Sequence, residues 1–204
     1  AGLAGLALVA TLEAARTGLG QAICFAHAGQ FFGRVGWPCP FTTRQGSVGF
    51  AFGEGLAEVA AANPGTIYAN VDGFYENATP NVLFLGFAEH EGSFLVGAAA
   101  ALKSESGIIG FIGGQEIDLI KKFEAGYTAG AKYINPDIVV NVQYLGAAGD
   151  NNAWNSPDKA KEIANGWYAD GADVVYTAAG GSGNGTIAAA VERGKWAIGV
   201  DSDQ

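Results

Sequence analysis

The sequence predicts an α/β protein built on parallel, doubly wound sheets, and two observations support this fold class. From about residue 50 onward, short apolar runs alternate with helical patterns, and the connections between them are short. The apolar runs are also uninterrupted, as is typical of strands that are buried on both faces of a parallel sheet. In such a sheet the carboxyl ends of the strands share one edge, and ligands bind at that edge.

The predicted elements alternate along most of the chain. The predicted helices cover residues 55–62, 91–102, 116–133, 157–170 and 186–193. The predicted strands cover residues 66–71, 82–87, 107–112, 138–144, 172–177 and 196–200. Asn63-Pro64 stops the first helix, Gly113-Gly114 opens the third, and Ser156 is a candidate cap for the fourth, which has Pro157 in its first turn.

This pattern divides the chain into three segments. Residues 105–204 hold four strands and three helices, enough for a complete doubly wound lobe, and residues 49–104 form a partial first lobe. The polar stretch Lys103-Ser104-Glu105-Ser106 separates them. Residues 1–48 are atypical: Leu3 to Arg16 reads as a possible helix, but no sustained period follows residue 20 or so. The first lobe is therefore expected to be incomplete or atypical.

Composition excludes several classes of partner. The formal net charge is −9, and no basic stripe is present, which argues against nucleic acid and anionic membranes. The early apolar run Ala1 to Ala10 is shorter than the roughly 20 residues of a membrane span, and it is not an intact secretion signal. Cys24 and Cys39 could form one bridge or none, and they lack metal spacing. We therefore expect no metal and no cofactor.

The glycine run is the most informative stretch of the chain. Residues 178–185 read Ala-Ala-Gly-Gly-Ser-Gly-Asn-Gly, between an apolar run and a helical pattern. Glycines let a backbone approach a ligand closely, and a helix start offers N–H donors. The run lacks the spacing of a phosphate loop or a dinucleotide fingerprint, so a simple strand-to-helix turn is the alternative interpretation. Gly113-Gly114 is a second pair of this kind, whose helix start could face an anion or a carbonyl oxygen.

Four side chains near predicted strand ends are candidate ligand contacts. Asp201 follows the last strand, where a carboxylate could accept hydrogen bonds from two sugar hydroxyls, and Asp203 is a weaker candidate. Asp72 ends an earlier strand in the same way. Trp154 lies in a polar loop, where its flat face could stack on a planar heterocycle. The alternatives are a solvated loop acid for Asp201, a turn-former for Asp72, and a loop anchor for Trp154.

The sequence offers no catalytic constellation. Ser182 lies among glycines but lacks the spacing of a nucleophile elbow. His90 lies between two glutamates and forms no recognisable triad pattern. A binding protein is therefore expected rather than an enzyme.

Several motifs, in order along the chain, resemble those of the basic membrane protein family, the purine nucleoside receptor-like group of ABC-transporter substrate-binding lipoproteins. The resemblance covers about residues 49–204, and the motifs that carry it are Gly49-Phe50-Ala51-Phe52, Val71-Asp72-Gly73, Glu89-His90-Glu91-Gly92-Ser93-Phe94, Gly110-Phe111-Ile112-Gly113-Gly114, Phe123-Glu124-Ala125-Gly126-Tyr127, Gly171-Ala172-Asp173-Val174, Ala179-Gly180-Gly181-Ser182-Gly183 and Gly199-Val200-Asp201-Ser202-Asp203-Gln204.

The resemblance implies a periplasmic-binding-protein fold with two doubly wound lobes that close on a ligand at a hinge. It implies a purine nucleoside, delivered to the membrane subunits of an ABC importer by a periplasmic or extracytoplasmic lipoprotein. The base would lie between aromatic side chains and the ribose on carboxylates. Carried over by position, the expected site comprises Trp154 on the base, Asp72 and Asp201 on the ribose, Gly180 and Gly181 at the floor, and Phe50 and Phe52 at the wall.

Residues 1–48 depart from the family pattern. They hold nothing like the family's Asp-Lys-Ser-Phe-Asn stretch, which supplies a second stacking aromatic and an acid that reads the base, and no lipid-attachment Cys is recognisable near the start. Since a fold does not specify its ligand, a receptor for a sugar or another small molecule is the alternative function, and an enzyme acting on nucleosides is a more distant one.

Overall fold

The computed structural model of the chain describes residues 23–26, 53–72 and 79–201. It divides the chain into two compact units, residues 1–87 and residues 88–204. Both units are built from parallel strands, and helices alternate with the strands of the second unit. The fold class predicted from the sequence is therefore confirmed. None of the helices within the described ranges is long and apolar enough to cross a membrane.

The first unit contains a small parallel sheet. Its described elements are β1 (Ile23–Ala26), α1 (Gly53–Ala62), β2 (Ile67–Val71) and β3 (Val82–Leu85). The strand order is β1-β2-β3, and both pairs are parallel. Leu56 and Ala60 of α1 form a buried cluster with Tyr68 and Val82 of the strands. The apolar face of α1 is thus what holds the helix to the sheet.

The second unit contains the larger sheet and four helices. Its elements are α2 (Glu89–Lys103), β4 (Ile108–Gln115), α3 (Asp118–Ile134), β5 (Val139–Gly146), α4 (Pro157–Ala169), β6 (Val174–Ala178), α5 (Gly183–Arg193) and β7 (Trp196–Ile198). The strand order is β5-β4-β6-β7, and every pair is parallel. Two 3-10 turns, Asn151–Trp154 and Gly180–Ser182, follow β5 and β6.

Both faces of this sheet are covered. One buried cluster joins Phe111 and Tyr176 of the strands to Tyr127 of α3, with α2 on the same side. The other joins Ile112 and Val175 to α4 and α5. Fully burying a large apolar side chain contributes about 1.5–3 kcal/mol, so these clusters dominate the stability of the unit. The edge strand β5 differs from the continuous apolar core that its sequence suggests, because most of its residues are half-buried or exposed.

Helices α2 and α3 cross with their backbones in contact. A methyl group at Gly97 of α2 would lie 1.9 Å from the carbonyl oxygen of Tyr127. A methyl group at Gly130 of α3 would lie 1.9 Å from the carbonyl oxygen of Phe94, and one at Gly126 would lie 2.2 Å from that of His90. Because the blocking atoms belong to backbone, these three glycines are required for the close crossing. The crossing assigns α2 to the second unit.

Besides shifts of a few residues at element ends, four differences between the structure and the predicted elements bear on the fold and the site. A strand, β1, lies in the segment where the sequence showed no period. The boundary between the units precedes α2 instead of following it at residues 103–106. Gly113 and Gly114 are inside β4, so the helix they were expected to open begins only at Asp118. The helix α5 begins at Gly183, three residues earlier than predicted.

Candidate functional site

The carboxyl edge of the larger sheet contains a topological switch point between β4 and β6. The helix after β4, α3, packs on one face, whereas α5, the helix after β6, packs on the other. The chain therefore leaves these two neighbouring strands in opposite directions. Such a divergence opens a crevice outside the strand ends, which is where open α/β sheets bind ligands.

Trp154 lies at this crevice. It ends the 3-10 turn that follows β5, and its side chain is half-buried against the core cluster on the α3 side. The indole ring covers Gly114 near the end of β4, where an added methyl group would lie 2.2 Å from Cζ3 of the ring. A side chain at position 114 would displace the indole. The glycine pair in β4 therefore makes room for two rings, since Gly113 faces the ring of Tyr144 in the same way.

The loop that carries Trp154 is tied to the end of β4 by a buried amide. Gln115 is 3% exposed, and its Oε1 accepts a 2.9 Å hydrogen bond from the backbone N–H of Gly149. Its Nε2 donates a 3.1 Å hydrogen bond to Oδ1 of Asn151. Within the loop, Asp150 accepts a hydrogen bond from the amide of Asn152. The loop is thus a structured turn, held on the last residue of the central strand.

The glycine run contacts the Trp154 loop at the end of β6. Gly180 has a left-handed backbone with φ of 53°, a conformation that suits glycine. Methyl groups added at Gly180 or Gly181 would each lie 3.4 Å from the carbonyl oxygen of Trp154, which shows how closely the two loops approach. The later glycine Gly185 serves packing instead, because a methyl there would lie 1.8 Å from the carbonyl oxygen of Pro157.

Asp201 follows β7 at the same carboxyl edge. It is exposed and has a left-handed backbone with φ of 70°. The preceding residue, Val200, packs against the core cluster on the α3 side. Burial raises the pKa of Tyr176 to about 12, and the negative charge of Asp201 adds to this effect, so the carboxylate lies within electrostatic range of the phenol.

Asp72 occupies the equivalent place in the first unit. It follows β2, is half-buried, and has φ of 59°. Its backbone N–H donates a 2.9 Å hydrogen bond to the carbonyl oxygen of Leu85, which extends the pairing of β2 with β3. Among the described residues, Asp72 and Asp201 are the two non-glycine residues with positive φ. Observed outliers of this kind cluster at functional sites.

The structure brings some of the sequence-predicted residues together. Trp154, Gly180 and Gly181 are in contact, and Asp201 shares their edge of the sheet. Phe50, Phe52 and Asp203 lie outside the described residues.

The sequence did not predict that Gln115 and Ser182, two buried polar residues of this edge, hold the Trp154 loop in place. A polar residue directly after the apolar run 108–112 and its glycine pair was the available signal for Gln115. Ser156 does precede α4, but its hydroxyl donates to the carbonyl oxygen of Asn152 and makes no cap hydrogen bond.

The parallel sheets and the switch point at the carboxyl edge define an open α/β fold, a class that binds its ligands outside the strand ends. A crystal structure of ABC transporter solute-binding proteins from Aeropyrum pernix matches with a TM-score of 0.62 at 29% identity, over 74% of this chain and 44% of that one. A solute-binding protein of an ABC transporter system from Conexibacter woesei matches in fold, with a TM-score of 0.57 at 24% identity, over 75% of this chain and 49% of that one.

The chain belongs to the Bmp family, described as ABC transporter substrate-binding protein PnrA-like, whose model matches residues 46–204. The ABC transporter nucleoside-binding protein BmpA of Lactococcus lactis is 39% identical over 165 residues, or 77% of this chain and 45% of that protein. Basic membrane protein A of Borreliella burgdorferi is 39% identical over 161 residues, or 77% of this chain and 46% of that protein.

The family predicted from the motifs is therefore confirmed. The family description, the name of the Lactococcus lactis relative and that of the Aeropyrum pernix structure describe binding proteins, in agreement with the expectation of a binding protein rather than an enzyme. The chain spans less than half the length of these curated relatives.

Proposed function

We propose that the chain carries a binding site for a purine nucleoside, at the carboxyl edge of its larger sheet. The observation that carries the proposal is the position of Trp154, whose indole covers the end of β4 while its backbone meets the glycine loop at the end of β6. A flat aromatic ring at a switch-point crevice suits a planar heterocycle. The nucleoside-binding description of the Lactococcus lactis relative supports the same ligand class.

The remaining residues receive complementary roles in this proposal. Gly180 and Gly181 form the floor, where the backbone approaches the ligand without side chains. Asp201 accepts hydrogen bonds from ribose hydroxyls, since a carboxylate is an acceptor with two oxygens that can serve two neighbouring hydroxyl groups. The role of Asp72 as a ribose contact stays a prediction from the sequence. Phe50 and Phe52 stay predictions from the sequence.

The whole protein would then be the substrate-binding component of an ABC importer. It would deliver a nucleoside to the membrane subunits from the periplasmic or extracytoplasmic side, held near the membrane by a lipid anchor. These statements rest on membership of the family and on the relatives' descriptions.

Calorimetry with a small panel of ligands tests the proposal. Adenosine, guanosine and inosine are compared with ribose and glucose. At least one nucleoside is expected to bind at micromolar affinity or better, about −8 kcal/mol, and the sugars to give no heat at the same concentrations. A folded sample that binds none of the three nucleosides would contradict the proposal, and binding of a sugar alone would favour the sugar-receptor alternative.

Two tryptophan variants separate stacking from general damage. Trp154→Ala is expected to weaken nucleoside binding by about 1–3 kcal/mol, the usual range for base–aromatic stacking. Trp196→Ala is the matched control, because Trp196 is exposed at the first residue of β7, where its ring lies under the Lys103 ammonium at 4.0 Å. Equal losses of affinity in the two variants would remove Trp154 from the site.

A further inference from the structure

Ser182 has a role that its position among glycines does not suggest. Its side chain is fully buried, with 0% exposure. Its hydroxyl donates a 2.9 Å hydrogen bond to the carbonyl oxygen of Ala153 and accepts a 2.7 Å hydrogen bond from the backbone N–H of Ser156. The two bonded residues flank Trp154 in the chain. One buried oxygen therefore holds the backbone on both sides of the tryptophan.

The hydrogen bonds that Gln115 makes to the Trp154 loop act at its beginning, so those of Ser182 complement them. Gln115 holds Gly149 and Asn151 from the end of β4. Ser182 holds residues 153 and 156 from the start of α5. The Trp154 loop is thus held from the end of β4 and from the turn that follows β6. A loop that is held at one end alone leaves its aromatic side chain several orientations, which a ligand must then restrict at an entropic cost.

We propose that Ser182 is a positioning residue, which holds the Trp154 indole in the orientation that receives the ligand. The proposal rests on the proposed function for its ligand, a purine nucleoside. Ser182 acts through the backbone of the loop and does not touch the ligand. Its donor is used by Ala153 and one of its acceptor positions by Ser156, which leaves the buried hydroxyl no part as a nucleophile.

The chain offers a closely matched control for this serine. The hydroxyl of Ser104 also makes two hydrogen bonds, since it donates to Oδ1 of Asp173 at 2.7 Å and accepts from the backbone N–H of Gly107 at 3.1 Å. Ser104 lies at the amino end of the same sheet, whereas Ser182 lies at the carboxyl end. Ser182→Ala and Ser104→Ala thus each remove one donated and one accepted hydrogen bond.

The experiment compares both variants with the wild-type chain by amide hydrogen exchange and by calorimetry with inosine, adenosine and guanosine. Ser182→Ala is expected to speed exchange of the Ser156 amide and its loop neighbours by tenfold or more. It is also expected to weaken binding of the best nucleoside by about tenfold. Ser104→Ala is expected to change neither quantity by more than threefold, while urea unfolding reports a loss of stability in both variants.

The two readouts distinguish the possible failures. If the wild-type chain binds no nucleoside, the proposed function fails, and the exchange rates still decide whether Ser182 orders the Trp154 loop. If Ser182→Ala leaves exchange in residues 149–156 at the wild-type rate, the positioning role is overturned. It is also overturned if both variants weaken nucleoside binding equally, because a general loss of stability then explains the effect.

Discussion

The two edges of the larger sheet hold their loops in different ways. At the amino edge, Asp173 is 8% exposed, and its carboxylate accepts three hydrogen bonds from the turn that connects α2 to β4. At the carboxyl edge, the buried side chains that hold loops are neutral, the amide of Gln115 and the hydroxyl of Ser182. Asp201, the carboxylate proposed as a ligand contact at that edge, is exposed.

This difference follows from the cost of burying charge. A buried carboxylate is tolerated only where several donors compensate for its lost hydration, and the turn 104–106 supplies a hydroxyl and two amides. Such a cluster leaves the carboxylate little capacity for a further partner. At the carboxyl edge, neutral groups hold the loops, and the carboxylate of Asp201 lies near solvent. The carboxylate of Asp173 is therefore committed to structure, whereas that of Asp201 is accessible to solvent.

The largest effect on stability is expected from Asp173→Asn. The amide of asparagine carries no charge, and its NH₂ group would replace an oxygen that accepts either from the Ser104 hydroxyl or from the backbone N–H groups of Glu105 and Ser106. Hydrogen bonds to a charged group are worth about 1.5–3 kcal/mol, so we expect a loss of that order in the free energy of unfolding at pH 7. Urea denaturation measures it, and a loss below 0.5 kcal/mol or so would contradict this account of the amino edge.

The same variant has a predicted pH dependence. Burial alone would raise the pKa of Asp173, but the hydrogen bonds from Ser104, Ser106 and Glu105 outweigh it and hold the pKa below its ordinary value. The stabilisation is therefore complete above the unfolded-state pKa and is lost as the pH falls through the folded-state value. The gap in stability between wild type and Asp173→Asn should stay constant down to about pH 4 and shrink below it.

Gly114→Ala is expected to have the next largest effect, at the carboxyl edge. The added methyl would lie 2.2 Å from the indole of Trp154, so the ring must move. Overpacking of this kind costs about 1–3 kcal/mol, and we expect nucleoside binding to weaken together with stability. Gly166→Ala on α4 is the control, because nothing lies within 4 Å of its added methyl. That change should stabilise by up to about 1 kcal/mol.

A smaller effect is expected from Gln115→Leu, which sharpens the contrast between neutral and charged loop anchors. The variant loses the hydrogen bonds to Gly149 and Asn151, and each neutral bond contributes about 0.5–1.5 kcal/mol. Because the amide does not titrate, the cost of Gln115→Leu should be the same at pH 7 and well below about pH 4, where the stability gap for Asp173→Asn shrinks. A cost that changed with pH as it does for Asp173→Asn would show that the two edges share one electrostatic mechanism.

The smallest effect is expected away from both edges, at the pair between α4 and α5. Lys161 and Glu192 lie 2.6 Å apart with largely exposed side chains. Exposed ion pairs contribute about 0–1 kcal/mol and are screened by salt. Lys161→Ala should therefore lower the free energy of unfolding by less than about 1 kcal/mol and leave ligand binding unchanged. A larger loss, insensitive to 1 M salt, would indicate that the pair is structurally coupled to the site.

The strand and helix order of the second unit was predictable because apolar runs and turn residues alternate there without interruption. The strand β4 shows where this approach fails. Glycine ordinarily weakens a strand, so Gly113-Gly114 predicts the end of the strand. The two positions lack side chains because the rings of Tyr144 and Trp154 occupy the space that side chains there would need. Contacts from residues 30 to 40 positions away decide this, and local patterns carry no trace of them.

The unit to which α2 belongs and the presence of β1 were harder to predict from the sequence. The sequence predicts a boundary at Lys103-Ser104-Glu105-Ser106 because that stretch is polar. In the structure, Gly97, Gly126 and Gly130 allow α2 to pack on α3, so the boundary lies before α2. The four residues of β1 are too few to show a period.

For the site, residue types at strand ends predicted Trp154, the glycines and the aspartates as candidates. The supports of Trp154 could not be predicted in this way. Gln115 and Ser182 matter through distances in the folded chain.

The left-handed backbone at Asp72 and Asp201 has a consequence for how this chain could change. Glycine adopts that backbone at no steric cost, so Asp201→Gly would relieve local strain while deleting the carboxylate. Selection for thermal robustness alone would drive both positions towards glycine. An engineer who screens variants by heat resistance would therefore enrich substitutions that remove the proposed ribose contacts. Screens of this chain should be read out by ligand capture as well as by melting temperature.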